Sequence, residues 1–153
     1  MVRPSSFPSN AKIAVIGGRN FTDKFFLFGV LNHYYNRYGV DWVFSGGADG
    51  ADTYAREWAK YKQVRGFTEF YAQWNAYGKS AGYMRNSMIV EASQTVIAFP
   101  CQESKGTLHS IDLANRNNMP YLVCLSKHHF GLQEHTILKS PGKDELSPWL
   151  EVN

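Results

Sequence analysis

Cysteine is scarce in this chain of 153 residues: Cys101 and Cys124 alone make no disulfide framework. Long apolar runs are missing too, and none approaches the roughly 20 residues that a membrane-crossing helix needs. Charge of one sign is not in great excess either. Sixteen Lys and Arg stand against thirteen Asp and Glu, a net charge of +3. That is far short of the basic stripe of a dedicated nucleic-acid binder, so a nucleic-acid partner is not expected. The first ten residues hold two prolines and three serines but no apolar signal-peptide core. Lys143-Asp144-Glu145-Leu146 is internal and therefore carries no retention address. Neither an internal repeat nor a long low-complexity tract is visible. What is present is a hydrophobic fraction of 44% with 15% aromatics, enough apolar surface to offset chain entropy. The expectation is a soluble cytoplasmic protein with one core, away from membranes.

Five short apolar runs alternate with segments of helical period. The runs are Lys12–Gly17, Trp42–Ser45, Gly66–Ala72, Thr95–Pro100 and Tyr121–Leu125. Rich in Val, Ile and Phe and without strict polar alternation, they read as strands buried on both faces. Helical spacing joins Leu27, Val30, Leu31, Tyr34 and Tyr38, then Ala51, Tyr54, Ala55 and Trp58. A third helix runs from Ser80 to about Ala92, with Met84 and Met88 expected against the sheet, and a fourth follows Gly106. Strand and helix in alternation imply right-handed crossovers and a parallel sheet of about five strands. The expected fold is a Rossmann-like three-layer α/β/α domain over residues 11–126, preceded by an arm at 1–10. Residues 127–153, with prolines at 141 and 148, lose the pattern and read as a tail packed on the domain or on a partner subunit.

Ligands of such sheets bind where strands run into helices. Here every strand-to-helix loop carries glycine beside polar or charged residues. The first has Gly17, Gly18, Arg19 and Asn20; the second has Ser45, Gly46, Gly47, Asp49 and Asp52. The third runs from Trp74 through Lys79 to Arg85 and Asn86; the fourth holds Pro100, Lys105, Gly106 and Thr107. Glycine lets backbone approach a ligand closely, and amides at a helix start attract an anion. Arg19, Lys79, Arg85 and Lys105 add charged donors, and arginine grips phosphate with two parallel hydrogen bonds. Asp49 and Asp52 supply acceptors for sugar hydroxyls or a base amino group. Phosphate together with sugar points to a nucleotide.

Other patterns weigh less. Gly78-Lys79-Ser80 lacks the earlier glycine of a P-loop, which would fall at Gln73, and the glycines around Gly46 are misplaced for a dinucleotide fingerprint. Cys124, His128, His129 and His135 lack the paired spacing of a zinc site, so no metal is expected, and no cofactor. Trp74 and Tyr77 read equally as base-stacking residues or as core aromatics. Phe25, Phe26 and Phe28 with Tyr34 and Tyr35 make the first helix apolar all round, a hint of a homodimer or higher homo-oligomer.

The loops together resemble a known family. GGRNFTD, SGGADGAD, WNAYGKSAGYMRN and VIAFP followed by KGT are similar, in order and spacing, to the YspA-type branch of the SLOG superfamily, over roughly Ala11 to Leu125. The resemblance implies a Rossmann-like fold, a nucleotide or nucleotide-derived ligand and dimerisation. Its relatives include the LOG enzymes, which release a base from a nucleoside 5′-monophosphate, and sensors of signalling nucleotides in bacterial immunity. The branch itself occurs in bacteria and phages. Arg85 occupies the place of the LOG arginine, and Pro100, Gly106 and Thr107 are kept from the LOG phosphate loop, which here is two residues longer. The LOG catalytic glutamate corresponds to Ser110, so that carboxylate is missing.

Cleaving an N-glycosidic bond builds positive charge on the sugar, which a carboxylate stabilises. Asp49, Asp52, Glu91 and Glu103 are the candidates to replace it. Asp52, opening a helix beside the glycine loop, is the choice, with Arg85 as its catalytic companion. His109 could serve as an acid or base but reads first as a solvent-facing residue. Two functions stay open: hydrolysis at a nucleotide's glycosidic bond, or capture of a nucleotide-derived signal by a sensor or sponge.

Overall fold

Strands buried on both faces need a helical layer on each side, and this chain supplies both. The computed structural model describes residues 7–102 and 104–140, Lys79 by its backbone only. Five strands, β1 (Ala11–Gly17), β2 (Val40–Gly46), β3 (Gly66–Phe70), β4 (Thr95–Phe99) and β5 (Tyr121–Leu125), run parallel. Between them lie α1 (Lys24–Tyr38), α2 (Ala51–Lys62), a short α3 (Trp74–Tyr77), a 3-10 turn at Gly78–Ser80, α4 (Ala81–Ala92) and α5 (Lys105–Arg116). The sheet order is β3-β2-β1-β4-β5-β6, a Rossmann-like α/β/α arrangement.

Each central strand serves two cores. Ile13 and Val15 pack with Leu27, Leu31, Ala55 and Trp58 of α1 and α2. Ala14 and Ile16 pack with Ile89, Val90, Ile111 and Ala114 of α4 and α5. Alternate residues therefore point to opposite layers, and both sets are apolar. Trp58, fully buried, satisfies its indole N–H on Asn32 Oδ1 at 2.9 Å.

Three details differ from the sequence expectation. A sixth strand, β6 (Thr136–Lys139), pairs antiparallel with β5 after the short α6 (Lys127–Phe130). It is four residues long and half-exposed, too little pattern to stand out. A short extra helix, α3, precedes the third expected helix, which runs unbroken as α4; Gly78, at a positive φ of 59°, separates α3 from the turn before α4. Met84 and Met88 face outward. The buried stripe of α4 is Ala81, Asn86, Ile89 and Val90, and both stripes look apolar in the sequence. The expected arm at 1–10 and tail at 127–153 fall partly at 1–6 and 141–153, outside the described residues. Among the described residues no helix is long and apolar enough to cross a membrane.

Candidate functional site

The strand order reverses between β1 and β4: the chain leaves β1 for the α1 layer and leaves β4 for the α5 layer. Loops that diverge this way leave a crevice at the strands' carboxyl ends. Here Gly17 pairs with Phe99, and Gly18 N–H donates to Phe99 O at 3.1 Å. The crevice above them is a cavity of about 430 Å³, within the range of small-ligand sites. Arg19, Asp52, Arg85 and Thr107, far apart in sequence, all line it. So do Gly17, Gly18, Asn20, Gly46, Trp74, Asn86, Lys105 and Gly106.

One side of the cavity is held by Asp52. Its Oδ2 accepts from Ala48 N–H at 3.2 Å, closing the glycine loop onto the first turn of α2. Its Oδ1 lies 3.0 Å from Ser45 Oγ, which also sits 2.8 Å from Val15 O. One hydroxyl proton cannot serve both acceptors. If Ser45 donates to Val15 O, a protonated Asp52 donates to Ser45 Oγ and every group is satisfied. That state holds below about pH 6, because burial pushes the Asp52 carboxyl up to about 6 against the lowering pull of Ser45, Ala48 and the Arg85 charge; above it the ionised carboxylate accepts from Ser45 Oγ.

Arg85 and the first turn of α5 form the cationic side. Arg85 Nε donates to Asn86 Oδ1 at 3.2 Å, and Asn86 Nδ2 donates to Gly106 O at 3.2 Å. Asn86, nearly buried, thus ties the guanidinium to the helix start. The N-cap of α5, Ser104, turns its hydroxyl to Cys101 N–H at 2.8 Å and caps nothing. Among the described residues the opening amides of α5 consequently have no N-cap side-chain acceptor, and the helix dipole adds to their pull on an anion. Arg19 and Lys105 are exposed and make no ion pair among the described residues.

Some expected residues lie elsewhere. Ser45 is fully buried behind the cavity and touches Asp52, which lines it. Gly47 and Asp49 are exposed off the cavity wall; the space a Cβ on Gly47 would take is filled by the Tyr71 ring. Pro100 is buried behind the loop, and Tyr77 and Glu91 face solvent away from the wall. The Lys79 side chain and all of Glu103 fall outside the described residues. Ser110 does line the cavity, its hydroxyl donating to Gly106 O at 3.3 Å. His109 does not; its ring packs edge-on against Tyr83. Tyr83, Gln102, Ser104 and Cys101 also line the wall, and nothing in their local spacing announced them. Burial pushes the Cys101 thiol up to about 11, so it is not a ready nucleophile.

The histidines after β5 gather differently from a metal site built on Cys124, which is buried in its strand. Asp23, His128 and His135 bring donor atoms within 4.8 Å of one another. His135 Nδ1, however, accepts from Lys127 N–H at 3.1 Å, leaving its proton on Nε2, which faces Asp23 at 3.9 Å. A metal ligand shows the reverse polarity, donating through its second nitrogen.

A family model, YspA, cpYpsA-related SLOG family, matches residues 11–77, from β1 through α3. The chain is also similar to the Gene 61 protein of Mycobacterium phage D29, 34% identical over 118 residues, covering 72% of this chain and 94% of that protein. The chain belongs to the YspA, cpYpsA-related SLOG family. No solved structure matches it. In this SLOG protein the matched region supplies Arg19, the Asp52 loop and Trp74, while Arg85, Asn86 and the α5 turn lie beyond it.

Proposed function

We propose that the cavity at the sheet's carboxyl edge binds a nucleotide or nucleotide-derived molecule, its phosphate on the first turn of α5 between Arg85, Arg19 and Lys105. The observation that carries this reading is the uncapped start of α5, lined up with Arg85 by Asn86. Backbone amides and guanidinium groups converging on one cavity suit an anionic ester better than a neutral ligand. Membership of a SLOG family supports a nucleotide-related ligand. Calorimetry with the four ribonucleoside 5′-monophosphates tests it. Binding that Arg85→Ala abolishes is expected, and no binding of any nucleotide would overturn the reading.

Whether the ligand is cleaved turns on Asp52. As a carboxylate lining the cavity, it is placed to steady the sugar cation formed when an N-glycosidic bond breaks, with Arg85 holding the phosphate. Release of free base from a nucleoside monophosphate, lost in Asp52→Asn, is the outcome expected of a hydrolase. A non-catalytic sensor or sponge is the second reading. It is favoured by Ser110 at the position of the LOG glutamate and by the use of both Asp52 oxygens within the loop. That reading sets the protein in bacterial or phage immunity, and a relative encoded by a phage supports the phage side of it. Recovery of intact ligand from denatured protein, with no base released, would decide for it.

The same proposal places the protein in the cytoplasm, where nucleotides are available, as a homodimer. The support for self-association is Phe25, 94% exposed on α1 beside an apolar groove of about 950 Å³ that Ile137 of β6 also lines. Light scattering should give twice the chain mass for the wild type and the monomer mass for Phe25→Glu.

A further inference from the structure

The cavity has a second kind of wall besides its charges. Trp74, opening α3, is 55% exposed and lines it. Its indole lies over Gly82, where a Cβ would stand 3.2 Å from the ring's Cη2. Any larger residue at 82 would push the ring away. Tyr83, the next residue, is 51% exposed and lines the same cavity. It is braced from behind: the His109 ring meets it edge-on, centroids 4.6 Å apart at 78°. Burial holds the His109 imidazole below its usual range, so the brace is an uncharged ring at neutral pH.

Two large aromatic rings on the wall of one cavity present apolar faces to whatever enters it, and a braced ring is pre-organised for a flat partner. The neighbouring donors, Arg85 and the α5 amides, fix where an anion would sit. From this juxtaposition we infer that Trp74 and Tyr83 form the seat of the nucleobase, stacking on it while the phosphate is held at α5. The subsite rests on the nucleotide reading above and adds what the charged groups lack, selection for a ligand that carries an aromatic ring over a bare sugar phosphate. Tyr77, the other aromatic of this loop, has no part in it, since it lies off the cavity wall.

The test compares ribose 5-phosphate with the four ribonucleoside 5′-monophosphates on the full chain, by calorimetry. The tightest nucleotide should bind at least about fivefold better than ribose 5-phosphate, the low end of what one stacked base contributes. Trp74→Ala should bring that ratio close to one without changing ribose 5-phosphate affinity, while Trp74→Phe keeps most of it. Tyr83→Ala should lower it in the same sense. Thermal melting confirms that each variant is folded, as expected for such exposed rings. A wild-type ratio of one, or a ratio that neither alanine variant changes, overturns the aromatic seat and leaves phosphate binding standing. Failure of all five probes to bind the wild type overturns both readings.

Discussion

A Cβ on Gly46 would stand 2.6 Å from Nη1 of Arg85, and 2.8 Å from Oδ2 of Asp52. The last residue of β2 is glycine because two cavity-lining side chains, from α4 and α2, meet over its backbone. Arg85 Nη1 reaches toward Phe70 O, at 3.5 Å, across that same space.

Gly46→Ala should therefore separate binding from folding. The end of Arg85 is flexible enough to yield, so the cost to stability is expected at about 1 kcal/mol. Nucleotide affinity should nevertheless fall as far as in Arg85→Ala. Calorimetric titration beside thermal melting reads both; unchanged affinity would contradict the placement of Arg85.

Gly17→Ala should do the opposite. Its Cβ would collide with the carbonyl oxygen of Phe99 and stand 2.5 Å from the Ala51 Cβ. Neither can move without parting β1 from β4 or lifting α2. A loss of about 3 kcal/mol or more is expected, visible in denaturant midpoints even without ligand.

Asn86→Ala removes the link between Arg85 Nε and Gly106 O. The guanidinium keeps its charge but loses its orientation. Affinity for a nucleoside monophosphate should drop about tenfold, as for one lost hydrogen bond to a charged group. Asn86→Asp should not recover it, because its carboxylate keeps Arg85 for itself, repels the phosphate and has no proton to donate to Gly106 O.

Asp52 gives the folded chain a distinctive pH response. Its carboxyl moves from 3.8 to about 6 on folding. Below about pH 4 both states hold the proton. Between about 4 and 6 the unfolded chain ionises first, so stability falls as pH rises, by roughly 2 to 3 kcal/mol in all, and is flat above that window. Asn in its place can donate to Ser45 Oγ as the protonated acid does. Asp52→Asn should accordingly lose this slope and exceed the wild type in melting temperature above pH 6. Parallel melting curves across pH 4 to 7 would show that Asp52 is already ionised at the low end.

The strands and their order along the chain were legible because burial on both faces erases polar alternation, a local signal that Lys12–Gly17 and Tyr121–Leu125 carry openly. The glycine loops were legible for the same reason: close approach of backbone demands a residue without a side chain, as at Gly17 and Gly46. Facing was less legible. On α4 the stripes Ala81–Ile89 and Met84–Met88 are both apolar, and helical spacing alone does not say which one meets the sheet. Asp49 and Asp52 both read as acceptors in the loop, with Asp52 chosen for its place at the start of a helix; it alone of the two lines the cavity, where the Ser45 hydroxyl and Ala48 N–H meet its carboxyl. Tyr83 and His109 meet through a packing of α4 on α5 that no short-range pattern encodes.

By itself, then, the amino-acid order determined which segments bury two faces, where backbone must come close to backbone, and how many cations stand at the loops. Only the tertiary structure decided which side chains share the cavity, because that depends on where β1 and β4 lie side by side. Their carboxyl ends bring Arg19 and Thr107, distant along the chain, to one crevice. A contact between segments so far apart is fixed by the packing of whole layers, which no local spacing records.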